Sequence, residues 1–192
     1  AATEFISRIR SAEHIDGDYT TLSAWESAVQ SDLTASTTQV FSYATSTATG
    51  IFQDGATIIG ETSGAVATNT HMTATSGSAQ ILMTNIASST FQNGEKVYQQ
   101  GSPGTYAYLA DTGTSAIAVA ECYNDWPSRL RDDLRVIGWT TNSSNYVKIY
   151  TPASERHTGQ LKKNGDYTGF TMGYGSANDG GVDVIYTEED YT

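Results

Sequence analysis

Three histidines, a single cysteine and several paired acids are the groups in this chain with the means to do chemistry. His14, His71 and His157 lie far apart, with no His-x-x-x-His pair and no His/Cys cluster at metal-ligand spacing, so each reads as a turn or surface residue. The carboxylates fall in pairs: Asp16 with Asp18, Asp132 with Asp133, Asp179 with Asp183, and the run Glu188-Glu189-Asp190. A glycosidase needs two such groups facing each other across a cleft, and a calcium site needs several oxygens that converge. Asp179 and Asp183, in a glycine-rich loop, are the best calcium candidates, and solvated loop charge is the competing reading for every pair. Ser154-Glu155-Arg156-His157 sets a hydroxyl, an acid and a base side by side, but a triad is assembled by the fold and not from adjacent residues in a turn. Asn142-Ser143-Ser144 is a glycosylation sequon, which means little without an export signal. The glycines of 173–181 lack the lysine and following helix of a phosphate loop. Cys122 shares its side of an alternating run with Ala118 and Ala120, where a small buried hydrophobe is expected and no histidine is at hand to activate a thiol. The expectation is a chain that is not an enzyme, with no catalytic, cofactor-binding or metal residues.

The elements that would hold these groups are short and mostly β. Ile117–Tyr123, Arg135–Trp139 and Tyr146–Tyr150 alternate or are rich in β-branched and aromatic residues, which predicts strands; Trp126 and Trp139 add large rings to what reads as a core. Thr3–Ile9 predicts a first strand with Phe5, Ser7 and Ile9 on one face, Asp16-Gly17 a turn, and Val40–Ala44 a further strand. Between them Leu22, Trp25, Val29 and Leu33 fall on one helical stripe, and Ser23 with Glu26 fits a capping box, so a helix is expected over Ser23–Ser31. Residues 49–111 are rich in Thr, Ser, Gly and Ala and carry a weak repeat. Phe52-Gln53-Asp54-Gly55-Ala56-Thr57-Ile58 matches Phe91-Gln92-Asn93-Gly94-Glu95-Lys96-Val97, 39 residues on, with a strand at Ile81–Ile86 between the copies. Two copies are too few for a solenoid and suit a small barrel or sandwich folded as a pseudo-symmetric pair. Towards the end come the Asn164-Gly165 turn, the glycine-rich 173–181 and a last strand at Val182–Tyr186.

A chain of 192 residues is one domain, or one domain with an insert. Ten basic against 21 acidic residues give net −11, a balance that repels nucleic acid and anionic membranes and keeps densely arrayed proteins dispersed. One cysteine excludes an internal disulfide framework. No stretch approaches the ~20 apolar residues of a membrane span, and AATEFISRIR has no signal-peptide shape. With Ala1 taken as following a removed initiator Met, synthesis in a cytoplasm without standard export is expected.

Two segments, GDYTTLSAWESAVQSDL and AECYNDWP with IGWTTNSSNYVKIYTPASERHTG, resemble the N-terminal module of right-handed parallel β-helix proteins. In that group a helix with the pattern D-Y-T-x-L-x-A-W-E, here Asp18, Tyr19, Thr20, Leu22, Ala24, Trp25 and Glu26, caps the first coil. The repeat in 49–111 is similar to F-x-x-G-E-x-[IV] repeats of phage structural proteins, although only Gly94-Glu95 keeps the Gly-Glu pair. The resemblance implies a mostly β fold: a β-helix-like or sandwich core over 1–48 and 112–192, one capping α-helix, and a small inserted β-barrel or sandwich over 49–111. It implies a structural protein of a tailed-phage virion, a capsid decoration or cement subunit or a fibre-attachment subunit. The partners would be other copies of itself, as a trimer, and the major capsid protein. The alternatives are an extracellular bacterial surface or filament protein and the N-terminal piece of a β-helix carbohydrate-active enzyme. The family continues into many coils where this sequence reaches VDVIYTEEDYT, so an unfinished sheet edge is expected, covered by a neighbouring subunit.

Overall fold

Period-2 stretches become strands and the one 3.6-period stretch becomes a helix. The computed structural model of the chain describes residues 1–75, 78–126, 129–156, 169–173 and 185–187. In chain order the elements are β1 (Thr3–Ile9), α1 (Leu22–Val29), β2 (Gln39–Ser42), β3 (Thr57–Gly60), β4 (Val66–Thr75), β5 (Ser78–Ala87), β6 (Lys96–Gln99), β7 (Ser102–Tyr108), β8 (Ala116–Cys122), β9 (Leu130–Arg131), β10 (Leu134–Val136), β11 (Val147–Tyr150), β12 (Met172–Gly173) and β13 (Ile185–Thr187). The fold is mostly β with one α-helix among the described residues. The Asn164-Gly165 turn, the stretch 174–184 and the acidic run Glu188–Asp190 lie outside the described residues. The chain forms two units: Ala1–Phe5, Ser31–Ala118 and Thr140–Val147 make the first, and Ile6–Gln30, Val119–Trp139 and Lys148–Thr192 the second.

In the first unit six antiparallel strands run in the order β2-β5-β4-β3-β6-β7. The ladder is open, yet its outer strands meet along a seam: Val40 and Thr114 exchange both backbone hydrogen bonds, Ala44 N donates to Tyr108 O, and Ala110 N donates to Ser42 O. The inner face holds Phe41, Phe52, Ile58, Met83, Phe91 and Val97, all buried, with Phe41 edge-on to Phe91 at 5.4 Å. β2 precedes the 49–111 segment and still belongs to this sheet, because Phe41 fills the same core.

The two repeat copies fold alike. Gly55 and Gly94 both sit at φ +79°, a backbone that L side chains rarely adopt, which is why each copy keeps glycine there. Gly55 N donates to Asn69 O in β4 and Gly94 N to Leu109 O just past β7, both at 2.8 Å, so each turn is tied in the same way beyond the strand that follows it. They differ at the next residue. In the second copy Glu95 Oε2 accepts from Gln92 N at 2.6 Å. The first copy has Ala56 there, and the equivalent Gln53 N is taken by Gln99 Oε1 at 3.0 Å. A buried amide on a neighbouring strand replaces the missing acid.

In the second unit the described strands pair in parallel: β9 with β12, and β10 with β13. A three-stranded sheet runs β1-β8-β11. Thr3 N donates to Ser115 O and Tyr123 N to Ile9 O, so β1 and β8 run the same way. Phe5, Ser7 and Ile9 are buried as their alternation implied. The central strand departs from its pattern: from Ala116 to Cys122 only Glu121 is partly exposed, because a central strand in a parallel sheet is covered on both faces.

The helix forms where expected but is capped two residues earlier. Thr21 is the N-cap, its side chain accepting from Ala24 N at 3.1 Å. The expected Ser23–Glu26 capping box is not formed, because both residues are used in tertiary contacts. Ser23 N and Oγ donate to Asp132 at 2.9 and 2.6 Å, and Glu26 Oε1 accepts from Ile137 N and Trp139 Nε1, each at 3.1 Å. Trp25, fully buried, stacks on Trp139 at 5.9 Å.

Candidate functional site

The densest grouping of ionisable side chains is built on β1, the loop after it and the end of β8. Strand alternation turns Ser7 and Ile9 inward and leaves Arg8 and Arg10 on the opposite side. Arg10 Nη1 grips both oxygens of Asp16 at 2.9 and 2.7 Å while its Nε donates to Asp125 Oδ2 at 2.8 Å. The Arg10 guanidinium lies 4.4 Å from the Tyr123 ring centre, and Arg8 Nε sits 3.6 Å from Glu121 Oε2. Glu121 also accepts from Tyr150 Oη at 2.7 Å and Tyr123 Oη at 3.3 Å. Asp18 Oδ2 accepts from Arg8 N at 2.7 Å, and Tyr19 bridges Ile9 in parallel, so this loop covers the free edge of β1.

The electrostatics follow the contacts. Burial alone would raise the Asp16 pKa, but the charge and hydrogen bonds of Arg10, with Arg8 beyond, outweigh it and hold the carboxyl below its ordinary value. Burial would likewise lower Arg10, and Asp125 and Asp16 overcome it and raise that pKa. Burial and the neighbouring Glu121 push Tyr123 up, against Arg8 and Arg10. Each acid here already accepts from a guanidinium, a phenol or a backbone N–H. The cluster can clamp strands and a loop together; as arranged, its acids are engaged as acceptors.

The other candidates are dispersed. His14 Nε2 lies 3.4 Å from Asp125 Oδ2 at the margin of the cluster, whereas His71 Nδ1 pairs with Asp54 Oδ1 at 3.0 Å in the first unit. Asp16 and Asp18 turn to different partners, and Asp132 is buried on Ser23 while Asp133 donates its backbone N–H to it. Ser154 Oγ donates to Glu155 Oε1 at 3.3 Å, Glu155 accepts from Asn124 N, and Arg156 donates to Thr151 O, a local turn rather than a relay. Asn142 Oδ1 accepts from Ser144 N and Asn145 N, closing an Asx turn. Cys122 is buried, and burial, with Glu121 next, pushes its thiol up to about 12. His157, Asp179 and Asp183 lie outside the described residues. Among the described residues no three His, Cys, Asp or Glu side chains gather as a metal site. No described helix is long and apolar enough to cross a membrane.

Two surface features went unread in the sequence. Lys96 and Tyr108 face each other across β6 and β7, as do Tyr98 and Tyr106, and Ile59 on β3 lies beside Tyr98. Tyr106 is edge-on to Tyr108 at 6.0 Å, with Lys96 Nζ 5.1 Å above Tyr106 and bonded to Glu61 at 3.0 Å. The pairing partners were the missing information, since they are set by sheet order. Near it, Tyr43, Thr45, Ala48, Gly50 and Ile51 line an open depression of about 300 Å³ that contains no acid or base.

No family model, no curated protein and no solved structure matches this chain.

Proposed function

We propose that this chain is a structural subunit of a tailed-phage particle that acts by association with other copies of itself and with other virion proteins. One observation carries the reading. After β8, the strands β9 and β10 are each joined in parallel, and in the same order, by β12 and β13, while β11 lies beside β8. Three strands laid on three strands in sequence order is how successive coils of a parallel β-helix stack. With α1 packed on β10 through Trp25, Glu26 and Trp139, the second unit reads as the capped first coils of such a helix. The six-stranded sheet, whose seam draws its outer strands together, is then a small barrel carried by the inserted segment.

Within this reading the acids and arginines of the candidate site hold coils in register rather than turn over a substrate. The half-exposed Tyr108 and the Tyr98–Tyr106 pair supply interface chemistry, since tyrosine is enriched where protein surfaces meet. Sedimentation of the purified chain from micromolar to millimolar concentration, with antibody labelling of particles under the electron microscope, tests the proposal. Self-association and labelling at symmetric positions are expected. A chain that stays monomeric and is absent from particles overturns it.

A further inference from the structure

Two surfaces of the second unit are complementary, and among the described residues neither is taken up by ion pairs of its own. The first is the tip of the loop after β1. Ile15 is fully exposed there, an unusual place for a large aliphatic side chain in a loop so firmly held. His14 N donates to Ser11 O, Gly17 N to His14 O, and both carboxylate oxygens of Asp16 accept from Arg10 Nη1, so Ile15 stands on a braced turn. Glu13 beside it is exposed and makes no ion pair among the described residues. The second surface lies on β9 and β10 and just beyond. Leu130, Leu134 and Val136 point inward and are buried, which turns Arg131 and Arg135 outward into solvent, followed by exposed Ile137. Asp132, between the arginines, is turned inward onto Ser23, and neither exposed guanidinium forms an ion pair among the described residues.

We propose that the Glu13–Ile15 knob of one copy docks on the Arg131, Arg135 and Ile137 patch of the next, a head-to-tail contact between copies of this chain. The inference rests on the association reading above and names the surface that would carry it. Charge selects the occupant: the chain is net −11, so two copies repel unless an acid-bearing surface meets an unpaired basic one, and here each also offers an isoleucine. A pre-ordered apolar knob loses little freedom on docking, and arginine is among the residues that most often anchor such contacts. Because knob and patch are different surfaces, the contact is heterologous and builds a ring or a filament rather than a two-fold dimer.

Sedimentation of the full chain, with the variants Ile15→Ser, Arg135→Glu and Glu13→Arg, provides the test, each variant first checked for an unchanged unfolding midpoint. Ile15→Ser and Arg135→Glu are expected to weaken self-association on the order of tenfold or more. Added salt should weaken the wild type and not the Arg135→Glu variant. Combining Glu13→Arg with Arg135→Glu in one chain should restore association, because the reversed charges again face each other. Wild type that associates while every variant matches it overturns the knob and patch and leaves the association reading standing. Wild type that remains monomeric at every concentration overturns both.

Discussion

In the first unit Glu95 accepts from Gln92 N within its own turn and from Ser63 N and Oγ in the turn after β3, so one acid ties the two repeat copies together. In the second unit Asp132 and Glu26 join α1 to segments more than a hundred positions away, through Ser23, Ile137 and Trp139. The same group, a carboxylate accepting backbone N–H bonds, works at short range in an antiparallel sheet and at long range in a parallel one. The comparison also qualifies the charge balance: part of the acid excess is internal, since Glu26, Glu95 and Asp132 are all buried. Net charge therefore overstates how acidic the outer surface is, although most of the excess among the described residues remains outside.

The largest expected effect lies where the long-range anchoring is densest. Replacing Trp25 by Ala removes a fully buried ring stacked on Trp139 and should cost about 3–5 kcal/mol, read as a lower urea midpoint. Trp25→Phe should cost much less, because the indole Nε1 of Trp25 makes no hydrogen bond that the smaller ring would lose. Equal losses in the two variants would mean that the ring's area is not what holds the helix.

Next comes the short-range acid. Glu95→Ala strips the acceptor from Gln92 N, Thr62 N and Ser63 N and should cost about 2–4 kcal/mol. Gly60 shows how closely the acid is packed, since a Cβ there would collide with the Glu95 carboxylate. Amide exchange should quicken at Gln92 and Ser63 and not at Gln53, whose N–H is held by Gln99 instead. Gln99→Ala should reverse that pattern. If both variants loosen both turns equally, the two copies are not satisfied separately.

How far these features could be read beforehand follows from how local their causes are. The repeat, its Asx-Gly turns and the first strand were legible because φ preferences and period-2 alternation are written within a few residues. The helix was legible as a stripe but not at its cap, where Ser23 and Glu26 satisfy a local rule and are diverted by partners at 132, 137 and 139. The Arg8, Arg10, Asp16 and Tyr123 cluster was invisible for the same reason: β1 and β8 are neighbours in space although more than a hundred residues separate them in sequence. The membership of β2 in that sheet was hidden too, because composition shifts after residue 48 while the shared core begins at Phe41.

A smaller effect separates the units by pH. The Cys122 thiol is raised from 9.0 to about 12, so above pH 9 the unfolded chain ionises while the folded one does not, and stability falls as pH rises. At pH 10 the loss should be about 1 kcal/mol, and Cys122→Ala should flatten the slope between pH 9 and 10. Tyr123, also raised, adds to the fall only above its ordinary value of 10.0. Thiol reagents should reach Cys122 only after unfolding.

The smallest effect decides between the two accounts of the helix start. As the N-cap, Thr21 gives up one side-chain bond to Ala24 N on replacement by Ala, at about 1 kcal/mol. A Ser23 cap would move that cost to Ser23→Ala, whereas in this fold Ser23→Ala breaks the Oγ bond to Asp132 and the longer one to Thr21 Oγ1, the Ser23 N bond to Asp132 surviving. Double-mutant cycles distinguish the cases more sharply than single values do. Ser23→Ala and Asp132→Ala share a contact and should show coupling of at least about 0.5 kcal/mol. Thr21→Ala and Asp132→Ala share no direct contact, meeting only through Ser23 Oγ, and should couple less. Stronger coupling in the second pair than in the first would place the cap at Ser23 and detach the helix from the long-range acid that sets the second unit apart.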